Sequence, residues 1–265
     1  MNARGMVRRA GLTLGVCLLA VSAHAQATAT QKPAQQPFEP KSGQAGKDVV
    51  WVPTSQALVE KMLDMAKVTP QDFVMDLGSG DGRTVITAAK RGATAMGVEY
   101  NPDMVELSKA NAAKENVSAK ATFVKADLYE TDFSKATVIT MFLLPEINVK
   151  LRPKILNLKP GTRVVSNSFT MEDWEADQTE TISGECTSWC TALLWIVPAK
   201  VEGTWTTPQG DLKITQNYQK ITGTLGAAKI EGKLNGDQIT FTSGKTTYTG
   251  KVNGTTIQGT APDGW

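Results

Sequence analysis

Residues 73–83 read Phe-Val-Met-Asp-Leu-Gly-Ser-Gly-Asp-Gly-Arg, an apolar run that passes straight into three alternating glycines and then into a helical pattern. Glycines at such a turn adopt dihedrals closed to other residues and let a ligand approach the main chain closely. The same β-then-α alternation continues along the chain. Strands are predicted at 73–77, 95–98, 122–126, 138–142 and 163–168, with helices at 84–90, 102–114 and around 147–156. That order predicts an α/β fold, a doubly wound parallel sheet with helices on both faces, and a ligand site beyond the carboxyl ends of the strands. The runs 179–182 and 193–197 have no helix between them and suit an antiparallel pair at one edge.

The glycine loop has two possible small-molecule clients. A dinucleotide site wants G-x-G-x-x-G, with a pyrophosphate on the helix N-terminus. Here the spacing is G-x-G-x-G, and Asp76 and Asp81 bring negative charge to where a pyrophosphate would lie, which favours a cationic or zwitterionic ligand. The next strand ends in Gly97-Val98-Glu99, with Glu99 placed 21 residues after Gly78 to accept both hydroxyls of a ribose. A third strand ends in Lys125-Ala126-Asp127-Leu128. Acids at three successive strand ends form a constellation more specific than any glycine loop alone, although each one singly is also a helix-capping residue.

The N-terminus constrains the setting. Arg4, Arg8 and Arg9 precede an apolar run over 10–21, and Ala23-His24-Ala25 forms a small-x-small site, so residues 1–25 read as a secretory signal cut before Gln26. An uncleaved anchor and export of the folded chain through the Arg8-Arg9 pair are the alternatives. The expected location is periplasmic or secreted, with no stable membrane span after cleavage. Cleavage removes three arginines and no acid, so 25 basic residues face 26 acidic ones and the formal charge drops from +2 to −1. Binding of nucleic acid through bulk charge is not expected. Cleavage also removes His24, the single histidine, and with it every mechanism that needs imidazole. Cys186 and Cys190 remain, and two ligands make no metal site. In an oxidising compartment they are expected to pair. Four residues of extended strand span about 13 Å, too far for a disulfide, so pairing requires a bend through Thr187-Ser188-Trp189.

Residues 26–48, rich in Gln, Ala, Pro and Lys, read as a disordered linker. Residues 49–200 carry the α/β pattern. Residues 201–265 form a separate all-β unit, since 203–265 hold 11 of the 23 glycines, 14 threonines and no helical period. The decapeptide at 230–239 is echoed 18 residues later at 248–257, each copy centred on Asn-Gly, a strong signal for a two-residue hairpin. A meander of about six strands follows, with Leu212, Ile214, Ile221, Leu225, Ile230, Leu234, Ile239 and Phe241 lining its buried face.

On these residues, 51–199 resemble a class I, seven-β-strand, Rossmann-like S-adenosylmethionine-dependent methyltransferase, and the C-terminal unit is not covered. The resemblance implies S-adenosylmethionine as cofactor, with Asp76, Gly78, Gly80 and Gly82 at its methionine part, Glu99 at the ribose and Asp127 with Leu128 at the adenine edge. It also places Pro53, Thr54, Ser79 and Asp81 among the cofactor contacts. Trp51-Val52-Pro53-Thr54, the glycine loop, Phe142-Leu143-Leu144-Pro145-Glu146-Ile147-Asn148 and the segment 158–166 are similar to small protein-lysine methyltransferases related to the mitochondrial enzyme acting on ATP synthase. The fourth strand leads into Phe-Leu-Leu-Pro and not an Asn/Asp-Pro-Pro-aromatic loop, which disfavours a base amino group or a glutamine amide as acceptor.

Methyl transfer from a sulfonium is an in-line displacement that needs a neutral nucleophile held close and aligned. An apolar pocket helps a lysine amine lose its proton. Trp51, Phe142, Leu143, Leu144 and Pro145 are the expected walls, with Asn148, Asn167 and Ser168 as polar orienters and no general base. The expected acceptor is a protein lysine or a small amine. Two other readings stand beside it: a non-catalytic exported binding module working through 201–265, and, more distantly, a nicotinamide oxidoreductase.

Overall fold

The computed structural model describes residues 38–261 and Trp265. The leader 1–25 and the first part of the expected linker, 26–37, lie outside the described residues. The α/β unit holds β1 Phe73–Leu77, β2 Thr94–Glu99, β3 Ala121–Lys125, β4 Val138–Met141, β5 Arg163–Asn167, β6 Gln178–Thr181 and β7 Thr191–Ile196. They form one sheet in the order β3-β2-β1-β4-β5-β7-β6, in which β7 alone runs against the others. The edge pair foreseen at 179–182 and 193–197 is β6 and β7, and β7 wedges between β5 and β6.

Four helices, α1 Gln56–Met65, α2 Arg83–Lys90, α3 Pro102–Lys114 and α4 Pro145–Ile155, cover the sheet. Local chemistry sets their starts. Ser55 Oγ accepts from Leu58 N at 3.3 Å to cap α1, and Asn101 Oδ1 accepts from Asp103 N at 2.9 Å to cap α3. Pro145 opens α4, where its fixed φ suits a first turn. Side chains alternate across each strand: Val74 and Val138 join the core under α1 to α3, whereas Met75, Leu77, Ile139 and Met141 join the core under α4. Burial on both faces is why these strands read as continuous apolar runs rather than alternating ones. The chain leaves β1 toward β2 on one side while β4 flanks it on the other, so a crevice opens between the carboxyl ends of β1 and β4.

The second sheet is an antiparallel half-barrel of seven consecutive strands: β8 Gly203–Thr207, β9 Gly210–Asn217, β10 Lys220–Leu225, β11 Ala228–Asn235, β12 Gln238–Ser243, β13 Thr246–Asn253 and β14 Thr256–Ala261. That is one strand more than expected. All eight apolar residues expected on its inner face are buried. The echoed decapeptides are the β11–β12 and β13–β14 hairpins, turning on Gly236 (φ 60°) and Gly254 (φ 59°) as first central residues. The β9–β10 hairpin puts Tyr218 in that same left-handed position, φ 54°.

Tyr218 also docks the half-barrel. Its ring stacks on Trp174 with centroids 5.7 Å apart, and its hydroxyl donates to Asp173 Oδ2 at 2.8 Å. Gly236 lies so near Gly161 that a β-carbon there would sit 2.9 Å from the Gly161 Cα, and Gly236 O accepts from Ala199 N at 2.8 Å. These contacts gather where β5 begins and β7 ends, the end of the sheet opposite the crevice.

One expectation fails. The expected linker is folded over its described part, 38–48: Gly43 N donates to Trp51 O at 2.8 Å, Trp51 N to Gln44 O at 2.9 Å, and Lys47 reaches Asp127. Composition suggested disorder because the segment lacks an apolar period, but its order comes from hydrogen bonds to distant residues.

Candidate active site

The glycine loop closes the crevice at the end of β1. Gly78 and Ser79 both donate to Val98 O, at 2.9 and 3.0 Å, and Gly80 N donates to Glu99 Oε2 at 3.0 Å. From α3, Ser108 Oγ donates to Gly80 O at 2.8 Å and Asn111 Nδ2 to Asp81 O at 3.0 Å. The loop is thus held rigidly before any ligand arrives. Gly80 has φ 53°, and a β-carbon on it would lie 2.4 Å from the Trp51 indole nitrogen, so conformation and packing both demand glycine.

Most of the expected residues converge here. Pro53, Thr54, Asp76, Gly78, Ser79, Gly80, Asp81, Glu99, Asp127, Leu128, Phe142, Leu143 and Leu144 all line one cleft. Three do not. Gly82 is the residue before α2, buried where a β-carbon would strike Phe123 and Ser108 at 2.8 and 2.9 Å. Pro145 starts α4. Asn148 is fully buried and donates to the carbonyls of Phe169 and Thr170 at 3.3 and 3.1 Å, so it reaches the cleft only through the backbone it holds.

The charges also differ from the sequence reading. Arg83 clasps Asp81 through Nε and Nη2 at 3.0 and 2.5 Å, while its Nη1 donates to Thr54 O at 2.7 Å. Asp81 therefore serves to pin the 53–54 segment, and the uncompensated acids are Asp76 and Glu99. Burial pushes the Asp76 carboxyl up to about 7, with Asp81 and Glu99 adding to the rise and hydrogen bonds from Thr140 and Thr84 opposing it. An acid so placed ionises readily when a cation comes to it. Glu99 accepts from Gly80 N and Asn101 N with separate oxygens, which fixes the carboxylate and leaves each oxygen a further lone pair for a hydroxyl donor. Asp127 accepts from Tyr129 N at 2.9 Å and from Lys47 Nζ at 2.7 Å, and Lys47 holds its carboxyl below the usual range.

Sequence reasoning missed the strap 44–50, Tyr100, Met104, Phe169 and Trp189, all of which line the cleft. Tyr100 and Phe169 follow strand ends closely, a position that carries signal. The strap carries none, and Trp189 stands out in the sequence only as part of a bend. That bend exists: Cys186 and Cys190 are disulfide-bonded with Cα atoms 5.7 Å apart.

Residues 76–178 match the family model of the ANTKMT methyltransferase domain. A protein-lysine N-methyltransferase of Saccharolobus islandicus is 48% identical over 129 residues, which cover 48% of this chain and 80% of that protein. A human lysine N-methyltransferase named for an ATP synthase component is 35% identical over 136 residues, 51% of this chain and 57% of that enzyme. A crystal structure of an RNA methyltransferase from Salinibacter ruber in complex with S-adenosyl-L-homocysteine is 42% identical with a TM-score of 0.53, covering 57% of this chain and 96% of that one. The chain belongs to the class I S-adenosylmethionine-dependent methyltransferases. When bound, S-adenosylmethionine supplies an electrophilic methyl group on a sulfonium. The methyltransferase offers it a fitting donor set: a buried Asp76 that gains from a cation, Glu99 with spare acceptor capacity, and the Asp127–Leu128 strand end. The half-barrel contributes nothing to this cleft, whose described lining ends at Trp189.

Proposed function

We propose that this methyltransferase methylates the ε-amine of a protein lysine located outside the cytoplasm. The observation that carries the acceptor class is the acceptor side of the cleft, walled by Phe142, Leu143, Leu144, Phe169 and Trp189. Such a wall strips water from an incoming lysine side chain and holds its alkyl stem in place beside the methyl donor, and in-line displacement needs little beyond that alignment. Among the described residues the basic side chains of the lining are Lys47 and Arg83, both paired to carboxylates, so these offer no free cation to a phosphate backbone. The named acceptors of the archaeal and human relatives support the same reading. The Cys186–Cys190 pairing supports an oxidising compartment, in keeping with the leader. Among the described residues no helix is long and apolar enough to cross a membrane.

The test is mass spectrometry of envelope proteins from cells with and without the gene, followed by incubation of the unmodified proteins with pure enzyme and S-adenosylmethionine. One-methyl increments on lysine that depend on the gene and are restored in vitro are the expected result. Increments confined to nucleic acid, or none at all, overturn the proposal.

A further inference from the structure

Resting on the lysine reading, we infer that the Cys186–Cys190 loop is an acceptor-recognition element, holding Trp189 as the outer ring of an aromatic wall that takes the acceptor's alkylammonium. Phe142 follows β4 and Phe169 follows β5, so two rings rise from adjacent strand ends beside the glycine loop. They stack with centroids 5.7 Å apart, and Trp189 leans on both, 5.1 Å from Phe169 and 6.1 Å from Phe142. The base of the wall is fixed. Phe169 O accepts from Ser166 Oγ at 2.7 Å and from Asn148, while Leu143 lies 3.2 Å from where a Gly78 β-carbon would be.

The outer ring is fixed differently. Trp189 has φ 57°, a conformation that bulky residues rarely adopt and that surroundings must impose. The disulfide closes the loop around it, and hydrogen bonds from Ile182 N to Cys190 O (2.9 Å) and from Ser168 N to Thr191 O (2.7 Å) tie the loop's end to the sheet. Yet Trp189 stays 46% exposed in the lining of the cleft, which also carries the exposed Leu144, Val50 and Tyr100. An ordered aromatic left open to water over a cleft marks a binding surface. Its preferred guest follows from its faces. Among the described residues, the lysines and arginines stacked on rings use Tyr100, Tyr129, Tyr218 and Phe133, and none uses Phe142, Phe169 or Trp189. Those faces remain for an external cation, and Trp is the strongest ring for one.

The probe pair is Nα-acetyl-Nε-trimethyllysine amide and its neutral isostere with a tert-butyl group in place of the trimethylammonium. Each is titrated calorimetrically into the enzyme saturated with S-adenosylhomocysteine. The charged probe should bind at least about fivefold tighter than the neutral one. Trp189→Ala and the double variant Cys186→Ser/Cys190→Ser should lose that preference, Trp189→Phe should keep most of it, and cofactor affinity should stay within about twofold throughout. Equal affinity of wild type for the two probes, or a preference that survives Trp189→Ala, overturns the inference, whatever the variants do to folding. Lysine methylation by wild type without any charge preference overturns this inference alone. Charge preference without methylated lysine overturns the lysine reading alone.

Discussion

Lys47 donates its Nζ to Asp127 Oδ2 at 2.7 Å, joining two residues 80 positions apart and fastening the strap over the strand end that the resemblance assigns to adenine. The ammonium lies 5.2 Å from the Tyr100 ring centre and 5.4 Å from that of Tyr129. The strap is therefore a latch with an electrostatic catch. Lys47→Ala should speed release of S-adenosylhomocysteine by at most about fivefold, because an exposed ion pair contributes little. Stopped-flow fluorescence at low and high salt checks this: salt should accelerate release from wild type and leave the variant unchanged.

Asp76 makes cofactor binding pH-dependent. Its carboxyl titrates at about 7 in the folded chain against 3.8 for the ordinary group. Between those values the folded state holds the extra proton, so this group's contribution to stability falls as pH rises through the window and levels off above it. Cofactor binding has the opposite sign, since a cationic ligand favours the carboxylate. Affinity should rise with pH to about 7 and then flatten, with protons released on binding below it. Calorimetry in buffers of different ionisation enthalpy reads that release, and Asp76→Asn should weaken binding and abolish its pH dependence.

At the far end of the sheet Asp72 pairs with Arg163, which also donates to Ala66 O at 2.9 Å, while Thr137 Oγ1 donates to Asp72 Oδ1 at 2.7 Å. Burial pushes the Asp72 carboxyl up, but Arg163, Thr137 and Thr69 together hold it below its ordinary value. The stability it adds is present above the ordinary carboxyl range and lost as pH falls through the folded value. Asp72→Asn leaves a half-buried guanidinium without its partner and should cost about 3 kcal/mol in urea unfolding, with cofactor affinity unaffected.

Tyr218→Ala removes the stack on Trp174 and the bond to Asp173. Loss of about 1–2 kcal/mol of stability is expected, with cofactor affinity unchanged because the half-barrel sits away from the cleft. Thermal unfolding with and without S-adenosylhomocysteine separates the two effects.

What the sequence determined was whatever repeats locally. The strand 73–77 and the helix 102–114 match residue for residue, and the acids at positions 76, 99 and 127 fall at strand ends, because apolar runs, glycine turns and helix starts act over a few residues. The eight apolar residues of the half-barrel were legible for the same reason, through period-two alternation. What tertiary structure decided was pairing across distance. Asp81 reads as an unpaired acid of the glycine loop until Arg83 is seen to clasp it while donating to Thr54 O. Asn148 reads as a pocket amide until α4 turns it toward the Phe169 carbonyl. The strap 38–48 has no pattern of its own because its partners, Trp51 and Asp127, supply the order. Trp189 joins Phe142 and Phe169 only because the β5–β7 pairing and a disulfide carry it there. Contacts between residues far apart in the chain leave no periodic trace, so only the folded geometry assigns them.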